Sequence, residues 1–594
     1  MKYATTLYVV LMMGTSTVLA QPADESGVAA TAAVPPEAAA WVKANAIRFD
    51  SPEAGRGFGD LAPLKALVGD ARIVSLGEPT HGTREAFQLK HRLLEYLATE
   101  LGFTLFSIEA NMPESYELNQ YVLEGKGDPK KLIGGMYFWT WNTEEVLAMV
   151  EWMREYNKAA ASPVRFTGFD MQTPTMAMGI VAEFVREHIP DDAAAIAKAY
   201  DTIARAEAGS GDFGVGTGSF PVEAARGKKL IFSGWIRTEN VQNGWAGLWW
   251  RTDGPNGVLS FENMNEHGPR GTTPWTRYEF ALDVPQEVTN INFGVLMPGD
   301  GAAWFDDLEV RLDGEVFTDP ERFSFDFEND TVRFLAGLSR GYSLRRTNEQ
   351  PHGGTTCLEL RKTARADAPD PEDAERAADE AAALLKERRE RLVESAGEKE
   401  TAWAEQNARI VRQYARMMNA GDASGGSNYR DRAMADNVEW ILGQNPGAKI
   451  VLWAHNAHVS RAPIWGQIWM GSHLEKKFPG QMVVFGFSTG FGHYTAVESG
   501  KGLSDSNALE HPPAQSVEAY LAAAETPMCF LDIRAAKQGD EGSGWAAQIR
   551  PMRSIGAMAM NGQFTPVNPK QAFDILVYQD RTTAAKQLDT RPGR

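Results

Sequence analysis

The sequence predicts an α/β fold: a mostly parallel, doubly wound sheet, interrupted by an all-β jelly-roll-like insert and a helical hairpin. Three observations predict it. Short apolar, β-branched runs recur near both ends of the chain and are followed by helical patterns. A middle stretch rich in Gly, Trp and turn dipeptides breaks that alternation, and a charged, Ala-rich helical stretch follows it. Strands alternating with helices imply a parallel sheet covered on both faces.

Taken in order, residues 1–20 (MKYATTLYVVLMMGTSTVLA) combine a lysine, an apolar stretch and the small-residue ending Val18-Leu19-Ala20, which reads as a cleaved secretory signal. No other stretch is long and apolar enough to span a membrane, so the expected location is the periplasm or outside the cell. Residues 36–205 form the first part of a catalytic α/β domain, with strand candidates RIVSL (72–76), FTLFSIEA (103–110) and VRFTGFD (164–170). The helix after the first strand carries Phe87, Leu93, Leu94, Leu97 and Leu101 on its apolar side and Arg84, Lys90, Arg92 and Glu95 elsewhere. Asn111 and Pro113 open the next helix as N-cap and first-turn proline.

Residues 206–365 hold five short strand runs bounded by turns such as Asn243-Gly244 and Asp253-Gly254, as in a β-sandwich or jelly roll. The segment resembles carbohydrate-binding jelly rolls, whose last strand often ends in a motif like Ala303-Trp304-Phe305-Asp306-Asp307. The stretch FDFEND (325–330), which usually opens such modules, here comes last, as in a circular permutation. Trp235, Trp245, Trp249, Trp250, Trp275 and Trp304 either stack on sugar rings or fill the sandwich core. Residues 366–420 read as a two-helix hairpin. Residues 421–590 complete the α/β domain, with KIVLW (449–453), MVVFGF (482–487), MCFLDIR (528–534) and FDILVY (573–578) as strands.

Composition narrows the function. With 594 residues, more than one domain is expected, and 43% apolar residues are ample for burial. The formal net charge of −19 repels nucleic acid phosphates and anionic membrane surfaces, so neither is an expected partner. Two cysteines, Cys357 and Cys529, provide neither a disulfide framework nor a cysteine-rich metal site, and the sequence leaves their pairing open.

The chemistry concentrates beyond the strand ends, where open α/β sheets bind ligands. Glu78 and His81 share a glycine-flanked turn, and a carboxylate beside an imidazole suits a general base acting on water. The backbone N–H groups near Gly82 and Thr83 are candidate oxyanion donors. Glu109 ends an apolar strand, where an unpaired carboxylate is costly. Asp170 ends the next strand, either paired there or capping the following turn. His455 and His458 follow KIVLW with Asn456 between them. Arg430 and Arg432 precede the helix leading into that strand, placed for an oxyanion or a substrate carboxylate, or for surface salt bridges.

GEPTHGTREAFQLKHRLLEYLATELGFTLFSIEAN, FWTWNTEEVLAMVEWMREYN, RDRAMADNVEWIL and KIVLWAHNAHVSR resemble the erythromycin esterase family. The likeness covers residues 40–205 and 366–590 and leaves the β insert aside. It implies hydrolysis of a macrolide lactone by an activated water, with no covalent acyl-enzyme. It places Glu78 and His81 in the first essential motif, Glu109 in the second, and His455 and His458 in the third, with Arg430 before the last helix. His81 or His458 would be the base, Glu78 and Glu109 would orient it or the water, and Arg430 would stabilise the oxyanion. No cofactor and no metal are assigned.

Three alternatives stand beside that reading. Gly486-Phe487-Ser488-Thr489-Gly490 matches the G-x-S-x-G elbow, but no helical pattern follows it as a nucleophile elbow requires. The histidines and carboxylates could hold one zinc-like ion, although no H-E-x-x-H is present. A non-catalytic carbohydrate-binding envelope protein is the third. For an enzyme, the aromatic residues of YFWTWN (137–142) with Trp465 and Trp469 would wall a broad cleft. The expected substrate is then a small-molecule or saccharide ester, either a macrolide lactone or an acylated saccharide or glycolipid, with a glycan as a candidate ligand of the β insert.

Overall fold

The computed structural model describes residues 34–588, apart from 210–212, 255–256, 287, 289, 330–331, 333, 338–340, 364–368, 421–423, 465, 499–501 and 561. The signal segment and Trp465 lie outside the described residues. Nine strands form the central sheet. In chain order they are β1 (Ile47–Arg48), β2 (Ile73–Leu76), β3 (Leu105–Asn111), β4 (Arg165–Asp170), β5 (Ile450–Trp453), β6 (Met482–Glu498), β7 (Gly502–Ala508), β8 (Met528–Asp532) and β9 (Ile575–Thr582). Across the sheet the order is β1-β8-β9-β6-β2-β5-β3-β4, with β7 paired to β6 outside that path. From β9 to β4 every pairing is parallel, and β8 and β1 close one edge antiparallel.

All seven apolar runs expected in this sheet contain one of its strands. Their continuous burial follows from having a core on each face. In β5, Ile450 and Leu452 enter one core while Val451 and Trp453 enter the other. β1 and β7 were not foreseen: one is two residues long, and the other, GLSDSNA, has no apolar run.

Helix α1 (Arg84–Leu101) corrects the amphipathic reading of its sequence. Residues 89 to 98 are all buried, so Lys90, Arg92 and Glu95 face protein as well. Each has a compensating partner: Lys90 bonds Glu78, Arg92 grips Asp60 through two nitrogens at 2.9 and 2.6 Å, and Glu95 accepts from the Gly55 N–H. A buried charge persists only with such pairing.

Two clasps fix the loops that follow β2 and β5. The Asn456 amide pairs with the backbone of Phe487 as a neighbouring strand would, donating at 2.7 Å and accepting at 3.0 Å. The loop after β2 lies under the extension of β6: Thr495 N–H donates to Gly82 O, and Ala585 N–H donates to the same oxygen. A Cβ on Gly82 would run into the backbone of Thr495, which is why no side chain fits there.

Between β4 and β5 the chain builds two further antiparallel sheets, of five and six strands, between Phe213 and Lys362. Their shared core contains Phe232, Trp250, Phe293 and Phe305. Trp249, Trp250 and Trp304 are buried, whereas Trp235, Trp245 and Trp275 are half-buried. Helix α2 (Thr175–His188) follows β4, and α3 (Ala193–Gly209) packs against it before the chain enters the segment between Phe213 and Lys362.

The expected hairpin contains a third helix. α4 (Pro371–Glu387), α5 (Arg389–Ala396) and α6 (Glu398–Asn419) follow one another, and α4 packs its alanines 374, 377, 378 and 381 with Ile196, Ala199 and Ile203 of α3. Cys357 and Cys529 are both buried and free. Among the described residues no helix is long and apolar enough to cross a membrane.

Gly82→Ala should lower folding stability by about 1–3 kcal/mol or more, through overpacking against backbone that has little room to shift. Denaturant unfolding measures it, and an unchanged midpoint would refute the clasp.

Candidate functional site

β2, β3, β4 and β5 all run parallel, so their carboxyl ends lie side by side and the residues beyond them converge. Glu78 and His81 lie in the loop after β2. Glu109 is near the end of β3, Asp170 ends β4, and His455 and His458 follow β5. Helix α7 (Ser424–Gln444) precedes β5 and so runs antiparallel to it, which brings Arg430 and Asp431 near its start to the same end.

Glu78 is fully buried and uses both oxygens. Oε1 lies 2.7 Å from His81 Nδ1, while Oε2 accepts from Lys90 Nζ at 2.6 Å and from Trp453 Nε1 at 2.8 Å. Burial pushes its carboxyl up, but the Lys90 charge and the His81 contact outweigh burial and hold it below the usual range. Burial brings the Lys90 ammonium down to about 8 in spite of Glu78.

Arg430 joins two strands. Nε and Nη2 donate to Asp170 at 3.1 and 2.7 Å, and Nη2 also donates to Glu109 Oε1 at 2.8 Å. Asp170 Oδ1 in addition accepts from the Met171 N–H, so it both pairs and caps. His458 sits between two carboxylates, with Nδ1 2.8 Å from Asp431 and Nε2 3.1 Å from Glu109. Burial would lower its pKa, yet Asp431 and Glu109 raise it to about 10, making it an imidazolium at neutral pH. The same contacts, with Arg430, hold Glu109 well below the carboxylate range against burial. Arg430 Nη1 is 3.3 Å from His458 Nε2. With both groups cationic this is a close approach, not a hydrogen bond, and Glu109, Asp170 and Asp431 offset it.

His455 is the opposite case. Burial, with His81 and His458 nearby, lowers it to about 3, so it is neutral. Its Nδ1 accepts from the Ala457 N–H at 3.2 Å, which puts its proton on Nε2, a buried atom with no partner among the described residues. Its ring centroid lies 5.3 Å from that of His81. The Glu109 carboxylate accepts the His455 backbone N–H at 3.1 Å.

All six predicted site residues, with Asp170, thus converge. Several other expectations change. The Gly82 N–H donates to Thr80 Oγ1, so it is not an oxyanion donor. Arg432 is exposed. Ser488 lies inside β6, is 2% exposed, and donates to Glu518 at 2.7 Å, so it is not on a turn. Trp141 and Trp469 are buried core residues, not cleft walls: Trp141 Nε1 donates to Glu109 O, and Trp469 packs edge-on against His458. Tyr137 is exposed. No three His, Cys, Asp or Glu side chains among the described residues group as metal ligands.

Lys90, Asp431 and Trp453 were missed. Lys90 lies three residues after Phe87 and four before Leu94, on the apolar stripe, a position that itself signals a buried partner. Asp431 stands between the two arginines considered, and the helical repeat gave no reason to choose it.

The chain shares its fold with solved structures. A Bacillus cereus protein is 21% identical with TM-score 0.59, covering 93% of this chain and 99% of that one. An erythromycin esterase mutant in its open conformation is 13% identical with TM-score 0.52, covering 90% and 96%. The erythromycin esterase family profile matches residues 98–222 and 345–582, and the chain belongs to that family. The match includes Glu109, Asp170, Arg430, Asp431, His455 and His458, and leaves Glu78, His81 and Lys90 just before it. Erythromycin esterase type II of Escherichia coli is 35% identical over 178 residues, 28% of this chain and 42% of that protein. The chain spans less than half the length of the curated relatives it matches, 42%, 44% and 33%.

Because the His458 pKa is raised, its contribution to stability is complete below the unfolded value of about 6.5. That contribution is lost as pH rises through about 10. Asp431→Asn should move the His458 titration down and shrink this alkaline loss. NMR titration of the ring proton with thermal melts across that range checks it; an unmoved titration removes Asp431 as the cause.

Proposed function

We propose that this protein is an exported hydrolase that cleaves a carboxylic ester with a water activated by His81. One observation carries the reading: two imidazoles face each other with complementary atoms. Glu78 accepts a hydrogen bond from His81 Nδ1–H, leaving Nε2 as base, and neutral His455 offers an Nε2–H with no partner among the described residues as donor.

His81 Nε2 accepts a proton as the water oxygen bonds to the ester carbonyl carbon. His455 Nε2–H and the Nη1 of Arg430 receive the developing oxyanion. His81 then returns the proton to the departing alkoxide as the C–O bond breaks, releasing acid and alcohol. His458 does not serve as base, because both its nitrogens bind carboxylates and it is already protonated. Its charge, with Arg430, keeps Glu109 ionised and in place.

For the substrate, family membership favours a macrolide lactone. The β insert, with its half-buried Trp235 and Trp275, favours an acylated saccharide or glycolipid. Residues 1–20 support export.

Incubation with a macrolide and acyl-glycan panel in heavy-oxygen water, read by mass spectrometry, tests the reaction. One heavy oxygen should enter the acid product, and no cleavage of any ester would sink the reading. His81→Ala should cut kcat/KM by about 10²–10⁴-fold, the range for a lost general base. Ser488→Ala should stay within about twofold, since surface-remote hydroxyl loss leaves the base and donors in place; a collapse of activity would reinstate a serine nucleophile.

A further inference from the structure

Lys90 is a site cation with no role in the proposed reaction steps. It is fully buried, with the rings of Trp453 at 4.5 Å and Phe487 at 5.5 Å around it, and it donates to Glu78. A lysine placed in such a slot needs a reason, because burial disfavours its charge. The groups around it supply one. Glu78 and Glu109 attract its charge, while His81 and His455 stand beyond Glu78.

We propose that Lys90 is a positioning residue for His81: by neutralising Oε2 of Glu78 it keeps that carboxyl ionised, and the ionised carboxyl keeps the His81 proton on Nδ1. The inference rests on the hydrolase reading with His81 as base. Its logic is a proton count. An ionised Glu78 can only accept, so Nδ1 carries the imidazole proton and Nε2 stays free for water. A Glu78 left in its buried site without Lys90 is driven by desolvation to take up a proton. Its O–H then donates to Nδ1, the imidazole proton moves to Nε2, and the base is lost without any change in which atoms touch. Trp453 Nε1 cannot substitute, because a neutral donor to Oε2 brings no charge.

Lys90→Met keeps the length and apolar fit of the slot and removes the charge. At pH 7 kcat/KM on the cleaved ester should fall about a hundredfold, the scale of a disabled general base, with KM little changed. Activity should then recover as pH rises and Glu78 ionises. Should Lys90→Met fail to fold, the double variant Glu78→Gln/Lys90→Met removes both charges of the pair together, which buried pairs tolerate better than losing one. Its kcat/KM should equal that of Glu78→Gln alone. An unchanged profile in Lys90→Met, or a further large loss in the double variant, overturns the inference. The outcomes separate cleanly: full activity in His81→Ala sinks the hydrolase mechanism itself, whereas an inactive His81→Ala with an indifferent Lys90→Met sinks only the role of Lys90.

Discussion

Arg430 is the contact on which the catalytic end depends. One guanidinium binds Glu109 from β3 and Asp170 from β4, and lies against His458 from the loop after β5. Four buried carboxylates, Glu78, Glu109, Asp170 and Asp431, converge within this small region. They tolerate one another because the buried Lys90 and His458 and the half-buried Arg430 lie among them. Removing one member of such a network leaves an uncompensated buried charge, at a cost of about 3–5 kcal/mol. Structure and chemistry are thus hard to separate here: the pairing that makes the site rigid also sets which histidine is charged and which is neutral.

That division is the main functional consequence of the geometry. His81, His455 and His458 are alike in sequence and occupy neighbouring loops, but differ in environment. His458 has carboxylates on both nitrogens and is cationic. His455 has a backbone donor on one nitrogen and, among the described residues, no partner on the other, and is neutral. His81 has one carboxylate and a side chain 13% exposed, so it is the histidine of the three most open to a substrate. The charge states of the three rings, and with them the roles proposed for them, are set by second partners, not by the residue type.

Much of this was legible in the sequence, for a physical reason. Strands of a parallel sheet are buried on both faces and read as continuous apolar runs, so RIVSL, FTLFSIEA and KIVLW announced themselves, and polar residues at their ends stood out. The interruption by a Trp- and Gly-rich segment was equally visible as a change of period. Pairing was not. Lys90 reads as part of a solvated face although its spacing puts it on the apolar stripe, because residue type alone shows a charge and not the buried carboxylate that offsets it. Asp431 was hidden between Arg430 and Arg432, and that His458 is an imidazolium while His455 is neutral depends on distances that no spacing encodes. The third helix of the expected hairpin was missed because α5 is only eight residues long and its repeat merges with those of its neighbours.

The strand order has a consequence for how the chain is made. β2 borders β6 and β5, and β5 lies between β2 and β3, so no two strands before the insert other than β3 and β4 are neighbours in the sheet. A nascent chain that has completed residues up to β4 therefore holds β2 without a partner and β3 with one open edge, until more than two hundred further residues have emerged. Closing such distant pairs is slow and leaves strand edges exposed in the meantime. The two antiparallel sheets between them are built from closer neighbours and can form first. Biogenesis thus runs from the middle outward: the interruption matures early, and β5, the first sheet strand made after it, slots between the waiting β2 and β3 and delivers His455 and His458 as it does so, before β6 and β9 complete the sheet.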